Sequence, residues 1–288
     1  MKKLTTKSNF VEAFSQKGKL IEISNLNKYV NNKKERYFVH KNTGLVINKR
    51  LKSYKFTADK YSELAFKSKF TNSTYSAKIP AVNARLNYVI STLNNLKKIK
   101  NKSLLDVGAG TGEFLIMAKA LGAKVFGVEP KLENCKEMKR KKIKCLAGPI
   151  EYYKSQKKYD FVSVLWTFCN MYDPLNALMG IKKFLKNNGI IVVADSSRIL
   201  VHPRKSLKNW VGNMPRYLNP YHFSCNSMKS LLMLCGFEII FENRFYDTDY
   251  LVVVAKKTNK IFKKYPIDDY KKIIEFFKTW EKIDKRIK

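Results

Sequence analysis

Leu104-Leu105-Asp106-Val107-Gly108-Ala109-Gly110-Thr111-Gly112-Glu113-Phe114-Leu115 is the stretch on which the fold turns. Leu104 to Val107 reads as a buried strand, the glycines as a turn, and the residues from Gly112 onward as a helix. Alternate glycines let a backbone pass close to a ligand, because no Cβ blocks the approach and a positive φ costs little. The helix that follows has free N–H groups at its start.

What surrounds the loop limits the ligand. A dinucleotide fingerprint needs glycine three residues after Gly110, and position 113 is Glu; no Gly-Lys-Ser/Thr follows to make a Walker loop. Asp106 and Glu113 would repel a pyrophosphate. A cofactor with an amino-acid end and a nucleoside end, and no phosphate, suits the loop better. Glu129 ends the next strand, Lys124 to Val128, 23 residues after Asp106. A carboxylate there can accept both hydroxyls of a ribose.

Outward from the loop, strands and helices alternate. The strands are Ile143 to Ala147, the apolar run Phe161 to Trp166, and Ile190 to Ala194; the helices are Leu132 to Lys141 and Leu175 to Leu185. Continuous apolar runs mark strands buried on both faces, and the alternation predicts a doubly wound, parallel α/β sheet. Upstream, Val82, Leu86, Val89, Ile90, Leu93 and Leu96 recur at helical spacing, and Ala58 to Lys69 reads as another helix. Tyr75 and Arg85 lie just before the loop, with packing or solvent exposure the simpler reading for both. Arg36 to His40 and Leu45 to Ile47 flank Lys41-Asn42-Thr43-Gly44 as a β-hairpin in an otherwise irregular, lysine-rich N-terminal region. Downstream, a long connection (Arg198 to Tyr221) has the length of a lid or substrate loop. A helix from Ser227 to Leu234 follows, then strands Phe237 to Phe241 and Tyr250 to Ala255, and finally an amphipathic tail with Ile273, Ile274, Phe277, Trp280 and Ile283 on one stripe. The expected division is an N-terminal extension (1–78), a central α/β domain (79–258) and a C-terminal helix (259–288).

Composition narrows the classes. With 45% hydrophobic residues among 288, the chain can bury a core and is not a disordered protein. No apolar run reaches the roughly 18 residues of a membrane span, and no signal-peptide core is present, so a cytoplasmic protein with reduced cysteines is expected. The net charge of +34 would draw nucleic acid, yet only nine of the 57 basic residues are arginine. Arginine is the residue expected where phosphate or guanine is gripped bidentately. Evenly spread lysine beside abundant Asn and Ile reads rather as the coding bias of an AT-rich genome, with a nucleic-acid surface as the alternative. His40 has no second ligand at metal spacing, and no metal is expected.

The ordered set of Leu-Leu-Asp-Val-Gly-Ala-Gly-Thr-Gly, Gly-Val-Glu-Pro, Lys-Tyr-Asp-Phe-Val, Tyr-Asp-Pro, Leu-Lys-Asn-Asn-Gly and Cys-Gly-Phe-Glu resembles class I S-adenosylmethionine-dependent methyltransferases over residues 100–256. The resemblance implies a Rossmann-like sheet of seven strands, the last antiparallel. It places Asp106, Gly108, Ala109, Gly110, Thr111, Gly112 and Phe114 around the methionine part, and Glu129 and Pro130 at the ribose. Pro149 and Ile150 stand where the family often has an acidic residue for the adenine, with Ile150 offering a stacking face; Thr167, Phe168 and Asn170 replace a Leu-Glu-His-Val segment at the end of a strand. The hairpin resembles a small zinc module that precedes some bacterial sugar methyltransferases, with Cys-x-x-Cys-Gly replaced by His40-Lys41-Asn42-Thr43-Gly44.

Methyl transfer needs alignment and, for a protonated nucleophile, a base. Asp195, His202 and His222 are the candidates, His222 as the opener of the helix after the long loop, with capping or packing as the simpler role for each. The expected acceptor is a small molecule or sugar-linked compound entering near residues 198–224. An RNA or protein methyltransferase, and a non-catalytic binding module on the same fold, are the alternatives.

Overall fold

A computed structural model describes residues 6–30, 35–50, 79–171, 173–195, 199–201, 206–212, 220–243 and 250–286. The helix expected over 58–69, Tyr75 and His202 lie outside these residues. So does half of the connection from 198 to 221.

The central sheet has seven strands in the order β10-β11-β8-β7-β4-β5-β6. They are β4 (Ser103–Val107), β5 (Lys124–Glu129), β6 (Cys145–Ala147), β7 (Tyr159–Leu165), β8 (Leu185–Asp195), β10 (Phe237–Glu242) and β11 (Leu251–Lys257). β6, β5, β4, β7 and β8 run parallel; β11 is antiparallel to both β8 and β10. The side-chain alternation of strands buried on both faces is visible here. On β4, Leu104 faces one core and Leu105 and Val107 the other. On the first face pack α3 (Ile79–Leu96), α4 (Glu113–Ala120) and α5 (Leu132–Arg140); on the opposite face lie α6 (Pro174–Lys182) and α8 (Cys225–Leu234). This is the doubly wound, seven-stranded sheet anticipated.

Two local readings are corrected. The helix expected to run to Leu185 ends at Lys182, and Leu185 already pairs with Tyr159 in β8. Residues 186–189 are not a turn before the strand but an irregularity inside it, with Asn188 at φ 58° and the register resuming at Phe161 opposite Ile190. α8 starts at Cys225, two residues before the expected Ser227. Its opener is Ser224, whose hydroxyl accepts the N–H of Ser227 in a capping box. His222 stands before it, in strand β9 (Tyr221–His222).

β9 belongs to a second sheet, ordered β1-β2-β3-β9 and antiparallel throughout. Here β1 is Leu20–Glu22, and the hairpin is β2 (Glu35–His40) and β3 (Val46–Arg50). The N-terminal region is thus more ordered than its sequence suggests. α1 (Thr6–Phe14) buries Phe10, Ala13 and Phe14 in the core it shares with Tyr221 and Phe223. The other face of this sheet carries Tyr37, Val39 and Val46. It is covered by α2 (Ser24–Asn27), α7 (Leu207–Gly212) and α9 (Tyr270–Arg286) through Leu26, Trp210, Ile273, Phe277 and Trp280. The amphipathic tail is therefore a packed helix. Among the described residues no helix is long and apolar enough to cross a membrane.

Candidate functional site

The glycine loop leaves β4 at Val107 and enters α4 at Glu113, over the carboxyl ends of the parallel strands. Gly108 and Ala109 both donate their N–H to Val128 O, at 2.8 and 3.2 Å, which pins the turn to β5. Gly108 has φ 74°, and a Cβ there would press into Thr167, 2.8 Å from its Cγ2. Gly110 differs: φ is 56°, and a Cβ would meet nothing within 4 Å. Its outer side is open space, as a ligand cradle requires.

Glu129 sits beneath this opening. Its Oε2 accepts the Gly110 N–H at 2.9 Å, and its Oε1 accepts from Lys131 N at 3.0 Å and Asn134 Nδ2 at 3.2 Å. The side chain is buried, and burial pushes its carboxyl above the ordinary range against the pull of these donors. Asp106 lies deeper, between β4 and β7. Ser163 Oγ donates to its Oδ1 at 2.6 Å. Burial pushes its carboxyl up to about 7, opposed by the Ser163 hydroxyl and reinforced by the charges of Glu129 and Glu113. Thr111 bonds Glu113, and Lys141, from the end of α5, donates to Thr111 O at 3.1 Å with Glu113 Oε1 3.6 Å away. The loop is thus held from both sides.

At the end of β7 the chain turns sharply. Trp166 takes φ 52° and donates its N–H to Ala194 O. The twist brings its ring to the α3 face, beside the core that Leu165 already joins. Its Nε1 is buried with no hydrogen-bond partner among the described residues. Thr167 then lies against Gly108, and Asn170 Nδ2 donates to Trp166 O at 3.3 Å. Asp195, fully buried at the end of β8, accepts the Cys169 N–H at 3.1 Å and so fixes the short helical turn Phe168–Asn170.

The structure brings together Asp106, Gly108, Ala109, Gly110, Thr111, Gly112, Glu129, Thr167 and Asn170 in this region. Phe114 and Phe168 are packed into the two cores and back the loop; Ile150 is buried on the α6 face, just after Pro149 and beyond β6. His222 lies on β9, whose backbone neighbours the Phe168–Asn170 turn, but its ring enters a different core. It is buried on the α9 face of the second sheet, 4.7 Å from the Trp210 ring and 5.5 Å from the Tyr37 ring. Sequence reasoning missed Ser163, Asn134, Lys141 and Trp166. Ser163 alone left a signal, a polar residue inside an apolar run.

A family profile described as a methyltransferase domain matches residues 82–241. The chain belongs to this methyltransferase family. Solved structures share the fold at low identity. A 1,6-didemethyltoxoflavin N1-methyltransferase from Burkholderia thailandensis, solved with S-adenosylhomocysteine, is 14% identical with a TM-score of 0.55, covering 75% of this chain and 96% of the other. A protein from Haloferax volcanii solved with the methyltransferase activator Trm112 gives 13%, 0.52, 65% and 96%. An S-adenosylmethionine-dependent methyltransferase from Thermotoga maritima gives 20%, 0.50, 69% and 100%.

The methyltransferase uses S-adenosylmethionine, and its residues fit that molecule. The open face of Gly110 and the carboxylate of Glu129 at its edge are compatible with a phosphate-free nucleoside carrying an amino-acid tail. When bound, S-adenosylmethionine supplies a methyl group already activated on a sulfonium.

Proposed function

We propose that this methyltransferase acts on a small organic acceptor, a sugar precursor among the candidates, that enters near residues 198–224. The observation that carries the reading is an aromatic cluster on the α3 side. β7, β8 and β11 are neighbours, and Trp166 and Tyr250 flank their ends at the cofactor side. Tyr88 meets Tyr250 edge-on at 6.0 Å, and the Arg85 guanidinium lies 5.4 Å over the Tyr250 ring. Among the described residues, aromatic faces with the Arg85 cation suit a small molecule whose apolar or planar body is desolvated on entry.

In this reading Glu129 holds the ribose hydroxyls, its two oxygens having acceptor sites beyond those that Gly110, Lys131 and Asn134 occupy. Gly108, Gly110 and Gly112 let the backbone approach the amino-acid end, and Pro130, Pro149 and Ile150 border the base. Thr167, Phe168 and Asn170 border the transfer site. Asp195 keeps the Phe168–Asn170 turn in place through Cys169. This is a positioning role, and the proton of a protonated acceptor reaches Asp195 only if that turn opens. His222 serves packing between Trp210 and Tyr37.

The net charge favours one other reading, transfer to RNA. The purified protein is supplied with methyl-labelled S-adenosylmethionine and a cell extract split into small-molecule, RNA and protein fractions. Label in the small-molecule fraction is expected; label confined to RNA or protein overturns the proposal.

A further inference from the structure

Outside the cofactor region, four chain segments meet around a cavity of about 920 Å³ with mixed polar and apolar lining. It lies between α1, the turn of the β2–β3 hairpin, the start of α8 and the start of α9, and the chain after β8 reaches it at Leu200. We propose that it is a binding site for a neutral, polyhydroxylated ligand of the size of a sugar ring. The inference does not rest on the acceptor assigned above.

The walls are built. Asp268 is buried and ties three of the four segments together. Its N–H donates to Thr43 O in the hairpin turn at 3.2 Å; its carboxylate accepts from Ser224 Oγ and, at 2.9 Å, from Asn226 Nδ2 at the start of α8. Gly44, at φ 72°, fits against it so closely that a Cβ would stand 2.5 Å from the Asp268 Cβ. Asn42 Nδ2 donates to Asn9 Oδ1 at 3.2 Å, joining the hairpin turn to α1.

The chemistry left over selects the ligand. Asn226 spends both amide hydrogens on Asp268 Oδ1 and, at 3.3 Å, on Ile267 O, so its remaining capacity is to accept. Among the described residues nothing bonds Asn226 Oδ1, Asn42 Oδ1 or Asn9 Nδ2. Carboxamides thus offer both donors and acceptors, the complement of hydroxyl groups that do both. Charge balances across the lining: Lys41 and Lys272 oppose Asp268 and Asp269. An anion would face two carboxylates and a cation two ammonium groups, so a neutral ligand is favoured on both counts. Tyr270 supplies a ring, with the Lys41 ammonium 6.0 Å from its centroid. One aromatic face amid alternating donors and acceptors suits the two sides of a pyranose, one lined by C–H and one by hydroxyls.

The test uses the whole chain and a panel of neutral mono- and disaccharides, read by ligand-observed saturation-transfer NMR and by calorimetry. At least one sugar is expected to bind, and Asn42→Ala and Tyr270→Ala are each expected to weaken it tenfold or more. Asn42 is exposed and its substitution removes one exposed bond, to Asn9; unchanged melting temperature and S-adenosylmethionine affinity in both variants verify that the fold is kept and separate the result from the methyl-transfer reading. The proposal is overturned if no sugar binds, if both variants bind it as the parent does, or if inorganic phosphate binds at the site in its place.

Discussion

Asp106→Asn isolates the electrostatic cost of placing a carboxyl beneath the glycine loop. The buried Asp106 carboxyl is raised from an ordinary 3.8 to about 7. Each unit is worth about 1.4 kcal/mol, so the shift corresponds to about 4 kcal/mol. The sign follows from linkage. With its folded pKa raised, Asp106 keeps its proton in the native state at pH values where the unfolded chain has lost it. Unfolding therefore releases a proton between about pH 4 and pH 7, and the contribution to stability falls as pH rises through that window. Asparagine has the same shape, still accepts the Ser163 hydroxyl and cannot ionise. Urea unfolding of parent and variant at half-unit intervals from pH 4 to 8 is the assay. Titrating groups that do not interact with Asp106 cancel in the difference, which leaves Glu129 and Glu113 as the coupled ones. That difference should shift in favour of the variant by about 4 kcal/mol across the window and level off above pH 7. Ser163→Ala is the internal control: its hydroxyl holds Asp106 down, so removing it should carry the fall to higher pH. A parent-minus-variant difference that stays flat within about 1 kcal/mol would refute the argument.

Further outcomes are expected at the loop and in the C-terminal helix. Gly108→Ala places a Cβ against Thr167 at a left-handed φ and should cost about 2 kcal/mol or more in thermal unfolding; Thr167→Ala should recover part of it, whereas additivity of the two changes would contradict the contact. Glu129→Ala, and Gly110→Val in the open cradle, should each weaken S-adenosylmethionine roughly tenfold to a hundredfold by calorimetry, from charge-assisted bonds worth about 1.5–3 kcal/mol; unchanged affinity in both would sink the cofactor assignment. Lys141→Met should weaken the cofactor without a matching fall in melting temperature, since it frees the loop carbonyl of Thr111 and otherwise removes only partly exposed ion pairs to Glu113 and Glu137. Phe277→Ala should cost about 3–5 kcal/mol, because the ring is fully buried against Trp210 and Trp280.

The sheet was legible in the chain because its strands are apolar runs separated by helices, and both signals are local. The loop was legible because Gly108, Gly110 and Gly112 meet backbone demands that few other residues satisfy. What escaped was set by distant partners. β9 has only two residues, and nothing local marks Tyr221 and His222 as a strand until β3 lies beside them. The irregularity over 186–189 depends on pairing with Tyr159 and Phe161 and on the Lys186–Asp160 bridge at 3.0 Å. His222 carried the sequence signature of a base at a helix entrance, yet Ser224 took the cap and the imidazole went into an aromatic core. Trp166 belonged to the strand by composition, whereas its positive φ redirects the ring to the other face.

The pairing of β3 with β9 also sets an order of events on the ribosome. Val46 meets His222, and the helix that covers the same sheet, α9, lies later still. At roughly 5–20 residues per second, the hairpin waits on the order of ten seconds or more for its fourth strand. Throughout that interval Tyr37, Val39 and Val46 have no α9 to cover them. The N-terminal region is thus made first and finished last. A chain truncated before residue 270 would carry an intact glycine loop and an uncovered apolar sheet, and should be held by chaperones or aggregate even though its cofactor-binding strands are complete.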